Sequence, residues 1–253
     1  MLSKERHEAI IKRIDEVGFV KVNDLAVSFN VTKDCIRKDL TILQEHGYLI
    51  KTYGGAMKER EITHNFGVDN RKDRNTDEKA IIARKAMKTM HNGDVVFLDI
   101  STINIEIAKE IIQANMNITI VTNMIQLIQI VTEMNYPHFI FIGGILDESR
   151  DGFVGSSTID QIQQFKFNQA FIGTVGIDYE HNKLYTYKIN DGLTKKAIMQ
   201  ASKSVYVVLE DEKFYCDGTY VFGQLNNLTG IITNQCKSQL KELIYEQFQV
   251  KVF

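Results

Sequence analysis

Hydroxyls, an amide and bare glycine backbone recur at four turns that each follow a short apolar run: Asp99-Ile100-Ser101-Thr102, Thr122-Asn123, Gly143-Gly144 and Gly173-Thr174-Val175-Gly176. Ser101 and Thr102, with adjacent N–H groups, suit an anion such as a phosphoryl group, and Asp99 and Asn123 suit sugar hydroxyls. Gly143, Gly144, Gly173 and Gly176 permit close backbone approach. One such turn is more often a helix cap or a tight loop. Four of them together read as one rim for a phosphorylated sugar or polyol.

A second set lies near the N-terminus. Over Thr32-Lys33-Asp34-Cys35-Ile36-Arg37-Lys38-Asp39-Leu40, Thr32 is placed to cap a helix, and Ile36, Leu40 and Leu43 recur at core-facing spacing. Lys33, Arg37, Lys38 and Thr41 are left on the outer face. Cations on one helix face suit a nucleic-acid duplex, where an arginine reads a guanine edge or clamps a phosphate.

These residues need elements to hold them. The spacing predicts a first helix from about Lys4 to Val17, ended by Gly18, and a shorter one carrying Leu25, Ala26 and Phe29, with Asn30 at the turn. That is helix-turn-helix spacing. The capped third helix stops at His46-Gly47, and Tyr48–Tyr53, rich in strand formers, runs into Gly54-Gly55 as a hairpin with a glycine tip. Such a wing places Lys51, Tyr53, Gly54 and Gly55 against a phosphate backbone or in the minor groove.

Residues 58–77 are dense in charge and read as a connector. From Glu78 onward, helix and strand alternate. Strands are expected near Val95–Asp99, Ile118–Thr122, Phe139–Ile142, Ala170–Gly173, Ser204–Leu209, Gly230–Thr233 and Gln249–Phe253. Helices are expected at Lys79–Met90, Thr102–Ala114, Met124–Met134, Thr158–Phe165 and Lys237–Phe248. The alternation predicts an α/β fold with a mostly parallel, doubly wound sheet, whose ligands lie beyond the carboxyl ends of the strands.

Length and composition agree with two domains, 1–57 and 78–253, joined by the connector: the chain has 253 residues and 44% hydrophobic content. The formal net charge is −2, divided as +2 over residues 1–58 and −4 over the rest, so attraction to a polyanion must come from a local cationic face. No segment is apolar enough to span a membrane, and the charged Met1–Arg6 start does not resemble a secretion signal, so a cytoplasmic location is expected. Cys35, Cys216 and Cys236 have no metal-ligand spacing, and the six histidines are dispersed; neither a metal nor a cofactor is expected.

The runs Val31–Leu40 and Thr52–Ala56 resemble the head of DeoR-type transcriptional regulators. This resemblance implies operator-DNA binding through Thr32, Lys33, Cys35, Arg37, Lys38, Lys51, Tyr53, Gly54 and Gly55. Cys35 stands for the family's threonine, Lys38 for an arginine and Tyr53 for a histidine, departures that bear on operator sequence. In the connector, Phe66, Arg71, Asn75 and Glu78-Lys79 match a family pattern and imply that part of it packs on the second domain. The four turns resemble the family's effector motifs, with departures at Ile103 and Val175, and imply a ribose-5-phosphate-isomerase-like effector domain. Asp191–Ala197 resembles a family helix and Glu210–Phe214 a family turn, adding Lys195, Asp211 and Lys213 to the effector site. Either Glu210 or Asp211 takes the acidic position of that turn.

Together these resemblances imply a homo-oligomeric DNA-binding repressor of a sugar or polyol catabolic operon, controlled by a phosphorylated sugar and not an enzyme. A sugar-phosphate isomerase is the alternative, with Asp99, Glu210, Asp211 and Lys213 as acid-base groups. A ligand-sensing protein adaptor is a third reading.

Overall fold

The computed structural model describes residues 2–52, 54–57, 61–62 and 73–253, which fall into two compact units, Met1–Glu61 and Ile62–Phe253. Tyr53 and most of the connector, including Phe66 and Arg71, lie outside the described residues.

In the first unit, helix α1 (Ser3–Val17) ends at Gly18, whose φ of 71° is the left-handed conformation expected of that glycine. A short strand β1 (Phe19–Lys21), not anticipated from the sequence, leads into α2 (Val22–Phe29), and Asn30 turns the chain with a φ of 51°. Helix α3 (Lys33–Glu45) follows, then the hairpin of β2 (Ile50–Thr52) and β3 (Gly55–Met57). β1 pairs antiparallel with β3, so the wing is a three-stranded sheet of order β1-β3-β2. Ile10, Ile14, Leu25, Ile36, Leu40, Leu43 and Leu49 form the core beneath it.

One charged group belongs to that core. Asp39, on the inner face of α3, accepts hydrogen bonds from Arg6 at 2.6 and 3.0 Å and lies 2.9 Å from the His7 ring. Burial would raise the Asp39 carboxyl, but the bonds from Arg6 and His7 outweigh it and hold the group below its ordinary range. The pair ties α1 to α3.

Strand β4 (Glu61–Ile62) falls at the boundary of the units, and the second continues with α4 (Thr76–Met87), β5 (Val95–Leu98), α5 (Thr102–Gln113), β6 (Thr119–Thr122), α6 (Ile125–Glu133) and β7 (Phe139–Phe141). A small hairpin, β8 (Ile145–Leu146) and β9 (Phe153–Val154), precedes α7 (Ser156–Ile162) and β10 (Phe167–Gly173). Next come β11 (Gly176–Asp178), β12 (Lys183–Thr186), α8 (Ile189–Gln200), β13 (Ser202–Leu209), β14 (Cys216–Asp217) and β15 (Tyr220–Gly223). β16 (Gly230–Thr233), α9 (Ser238–Phe248) and β17 (Lys251–Val252) complete the unit.

Seven parallel strands form the main sheet, in the order β17-β16-β13-β10-β5-β6-β7. The chain starts at β5, moves outward through β6 and β7, then returns to lay β10 on the other side of β5. The strand order therefore reverses between β5 and β10, where an open parallel sheet leaves its ligand crevice. Beside it stands the antiparallel sheet β11-β12-β15.

Candidate functional site

The outer face of α3 is built as its sequence predicts. Thr32 caps the helix by accepting the Cys35 N–H at 3.2 Å, and Lys33, Arg37 and Lys38 are exposed. Arg37 reaches back to Asp34 at 2.7 Å across two well-exposed side chains, a pairing that water and salt loosen. Lys51, on β2, donates its ammonium to the Thr41 hydroxyl at 2.8 Å, which brings a wing cation onto the α3 face. Gly54, with a φ of 92°, makes the hairpin tip and also accepts the Val22 N–H at 2.8 Å. Gly55 is buried as the first residue of β3.

In the second unit, the carboxyl ends of β5 and β10 converge on a cleft of about 90 Å³. Its lining includes Ser101, Gly173, Thr174, Thr186, Lys188, Asp191 and Lys195, with Asp147, Ser149 and Asp151 from the β8–β9 loop. Ser101 caps α5 by accepting the Ile103 N–H at 3.3 Å, so the positive end of that helix faces the cleft.

Asp99 sits beneath, fully buried, where one carboxylate oxygen accepts the Gly173 N–H at 3.1 Å and the Lys195 ammonium. Lys195, on α8, also faces Asp191 at 3.3 Å, and Asp191 accepts the Thr186 hydroxyl at 2.5 Å. Burial pushes the Asp99 carboxyl up to about 6, opposed by Lys195. Burial acts the other way on Lys195, yet Asp191 and Asp99 more than offset it and raise the ammonium. The positive charge of Lys195 is thus held between two carboxylates.

Three buried oxygens have no hydrogen-bond partner among the described residues, Oδ1 of Asp99, of Asn104 and of Asn123, although none of these residues is in the cleft lining. The amide orientations are fixed by the other ends, since Asn104 donates to the Asp99 and Phe171 carbonyls and Asn123 donates to the Phe153 carbonyl. All three therefore present an acceptor. Thr102, 5% exposed, occupies the first turn of α5.

Gly173 earns its place by closeness: a Cβ there would meet the Ser101 Cβ at 2.7 Å. The other predicted glycines serve the protein's own packing and do not line the cleft. Gly143 offers its carbonyl to Thr158 and Gln161, and a Cβ on Gly144 would collide with the Thr158 hydroxyl, so this pair seats α7. A Cβ on Gly176 would strike the Cys216 carbonyl of β14.

Asp211 and Lys213 also lie apart from the cleft lining, on a short 3-10 turn after β13. Asp211 is engaged by Asn234 at 2.9 Å and Gln235 at 2.7 Å, and Lys213 lies 3.2 Å from Glu212. Glu210 accepts from Asn75 at 3.2 Å, which fastens the end of the connector to the second unit.

Residues 74–235 match the family model described as the DeoR C terminal sensor domain, and residues 6–60 match the DeoR-like helix-turn-helix domain. The chain belongs to the DeoR family. It is a transcriptional regulator with a helix-turn-helix head and a sensor domain. It is similar to the glycerol-3-phosphate regulon repressor of Escherichia coli, 29% identical over 92% of each chain. It is also similar to the lactose phosphotransferase system repressor of Staphylococcus epidermidis, 26% identical over 97% of this chain and 98% of the relative. A solved ribose 5-phosphate isomerase A from Methanocaldococcus jannaschii aligns at 15% identity with a TM-score of 0.40, covering 55% of this chain and 54% of the other.

Several cleft residues of this DeoR-family chain were not singled out from the sequence. Asp191 was within reach, because it stands four residues before Lys195 on one helix and so shares its face. Asp147, Ser149 and Lys188 were not, since they sit on loops about 40 residues apart with no periodic signal.

Proposed function

We propose that this regulator is a repressor of a sugar or polyol catabolic operon, acting as a homo-oligomer in the cytoplasm, and that a phosphorylated sugar or polyol bound in the β5–β10 cleft governs its hold on operator DNA. The observation that carries this reading is the meeting of a capped helix N-terminus, at Ser101 and Thr102, with the Asp99–Lys195–Asp191 group at the point where the strand order reverses. The helix end favours a phosphoryl group. The unpartnered Oδ1 of Asp99, beside the lining residues Gly173 and Lys195, favours a hydroxyl donor, because a buried acceptor left without a partner costs roughly 1–3 kcal/mol. The similarity to a glycerol-3-phosphate regulon repressor supports a phosphorylated polyol.

DNA is read by α3 through Thr32, Lys33, Cys35, Arg37 and Lys38, with Lys51 and Gly54 at the wing; Tyr53 lies outside the described residues, and Gly55, buried in β3, is left out of the contact. Ser101, Gly173 and Lys195 form the effector end of the protein, with Asp99, Thr102 and Asn123 buried outside the cleft lining, and no role in it is assigned to Asp211 or Lys213. The isomerase alternative gains nothing from the placement of Glu210, Asp211 and Lys213 away from the cleft.

The test is selection of a DNA site from a random pool, followed by titration at several salt concentrations with and without a panel of sugar and polyol phosphates. Sequence-specific, salt-sensitive binding that one panel member alters supports the reading. Turnover of ribose 5-phosphate without DNA affinity, or neither activity, sinks it.

A further inference from the structure

Lys195 is the buried cation of the cleft and its charge is held between Asp99 and Asp191, with 4% of its side chain exposed. The other ammonium in the lining is that of Lys188, immediately before α8. Its side chain is 27% exposed, and its partners belong to the β8–β9 loop: Asp147 at 3.0 Å, the Ser149 hydroxyl at 2.9 Å and Glu148 at 3.6 Å. Glu148 is 90% exposed, so its contribution is slight. Lys188 is therefore a cleft cation with one principal carboxylate partner, carried on a separate loop.

We propose that Lys188 is an anion-recognising, specificity-determining residue of the effector cleft, and that Asp147 is a built-in competitor which the effector's phosphoryl group displaces. This inference rests on the proposed phosphorylated effector and deepens it. A phosphoryl group offers Lys188 the same charge-assisted bonds as the Asp147 carboxylate does and adds contact with the positive end of α5. An entering phosphoryl group also meets repulsion from Asp147, a like charge in the same lining. Affinity is thus the difference between two occupants of one ammonium. When Asp147 is displaced, the β8–β9 loop loses its principal carboxylate tie to Lys188 and keeps the Ser149 hydroxyl.

The two halves of the exchange make opposite predictions. Lys188→Gln removes the cation and is expected to weaken binding of the phosphorylated ligand by tenfold or more. Asp147→Asn keeps the shape, removes the competing charge and is expected to strengthen binding several-fold. A merely structural contact would make both variants change affinity in the same direction.

Calorimetric titration of the full chain and both variants, with inorganic phosphate and with the sugar and polyol phosphates of the panel, decides the matter. Opposite shifts establish the exchange. Wild-type binding that Lys188→Gln leaves unchanged, or weakening by both variants, overturns the inference while the effector class stands. No binding of any phosphorylated compound by the wild-type chain overturns the effector class and this inference with it. Circular dichroism melts confirm that each variant is folded, and Lys188→Met serves as a second neutral replacement if Lys188→Gln is not.

Discussion

Single side chains in this regulator divide into those that hold it together and those left exposed on a face proposed to meet a ligand, and the same motif contains both. Arg37 and Asp39 stand two residues apart in α3, but Arg37 is exposed and Asp39 is 3% exposed. Arg37→Ala is expected to cost about 1–3 kcal/mol of operator affinity, the range for a lost base or phosphate contact, with an unchanged melting temperature. Fluorescence anisotropy with labelled DNA measures it, and unaltered affinity would remove Arg37 from the interface. Asp39→Ala should act through folding, because it removes the buried carboxylate that binds both Arg6 and His7 and ties α1 to α3; losing a charge-assisted hydrogen bond costs about 1.5–3 kcal/mol. A thermal melt of the head that fails to move would refute the structural role.

The two buried aspartates respond to pH with opposite signs. Asp39 is held below its ordinary value, so it contributes stability above that value, lost as the pH falls through its folded pKa. Asp99 is raised from 3.8 to about 6, so the folded chain keeps a proton in that window that the unfolded chain releases. Its contribution is present below 3.8 and declines as the pH rises to about 6. Urea unfolding across this window, taken as wild type minus Asp99→Asn, is expected to show that decline; a flat or rising difference would contradict it.

Elements place these groups, and the joints between elements are where small changes tell most. The β10 end and the α5 N-terminus approach so closely that Gly173→Ala brings a Cβ to 2.7 Å from that of Ser101. Overpacking of this kind costs about 1–3 kcal/mol, and here it also displaces the helix end that faces the cleft. We expect a lowered melting temperature together with weakened phosphosugar binding. A loss of stability with full ligand affinity would place the effector elsewhere.

The regular elements are legible for a physical reason: α3 carries a capped apolar period, and the parallel strands are apolar runs set between helices of 3.6-residue period. The cap at Thr32 and the strand Gly230–Thr233 fall where the sequence places them. Strands β1, β8, β9, β11, β12 and β15 were not foreseen. At two to four residues each they are too short for alternation to show; β8–β9 and β11–β12 pair as local hairpins, whereas β1 pairs with β3 and β15 with β12 from farther along the chain. The candidate site divides the same way. Ser101, Gly173, Asp99 and Lys195 were readable from turn chemistry and motif resemblance, whereas Asp147 and Lys188 meet only because two loops fold together. The inward turn of Asp39 was equally hidden, since a carboxylate between two cations and a leucine reads as part of an exposed charged face.

At the scale of the whole molecule, the regulator must couple two ligands. The chain is net −2, so DNA attraction depends on the local cations of the head and should weaken steeply with salt, by a slope of roughly −0.9 per phosphate neutralised. Lys51→Ala should lower that slope by about one. Thermodynamic linkage adds a stricter requirement: an effector that weakens operator binding by some factor must itself be bound more weakly, by the same factor, when operator is present. Equal effector affinity with and without operator would leave the protein with no switch.

The separation between Asp99 and Lys195 has one more consequence, which concerns synthesis. The groups on α3 and its cap lie within a stretch of about a dozen residues, whereas the buried ion pair joins positions 96 residues apart. A chain growing from its N-terminus completes its DNA-reading helix long before α8 leaves the ribosome. Any product interrupted between those points carries the helix-turn-helix residues without Lys195.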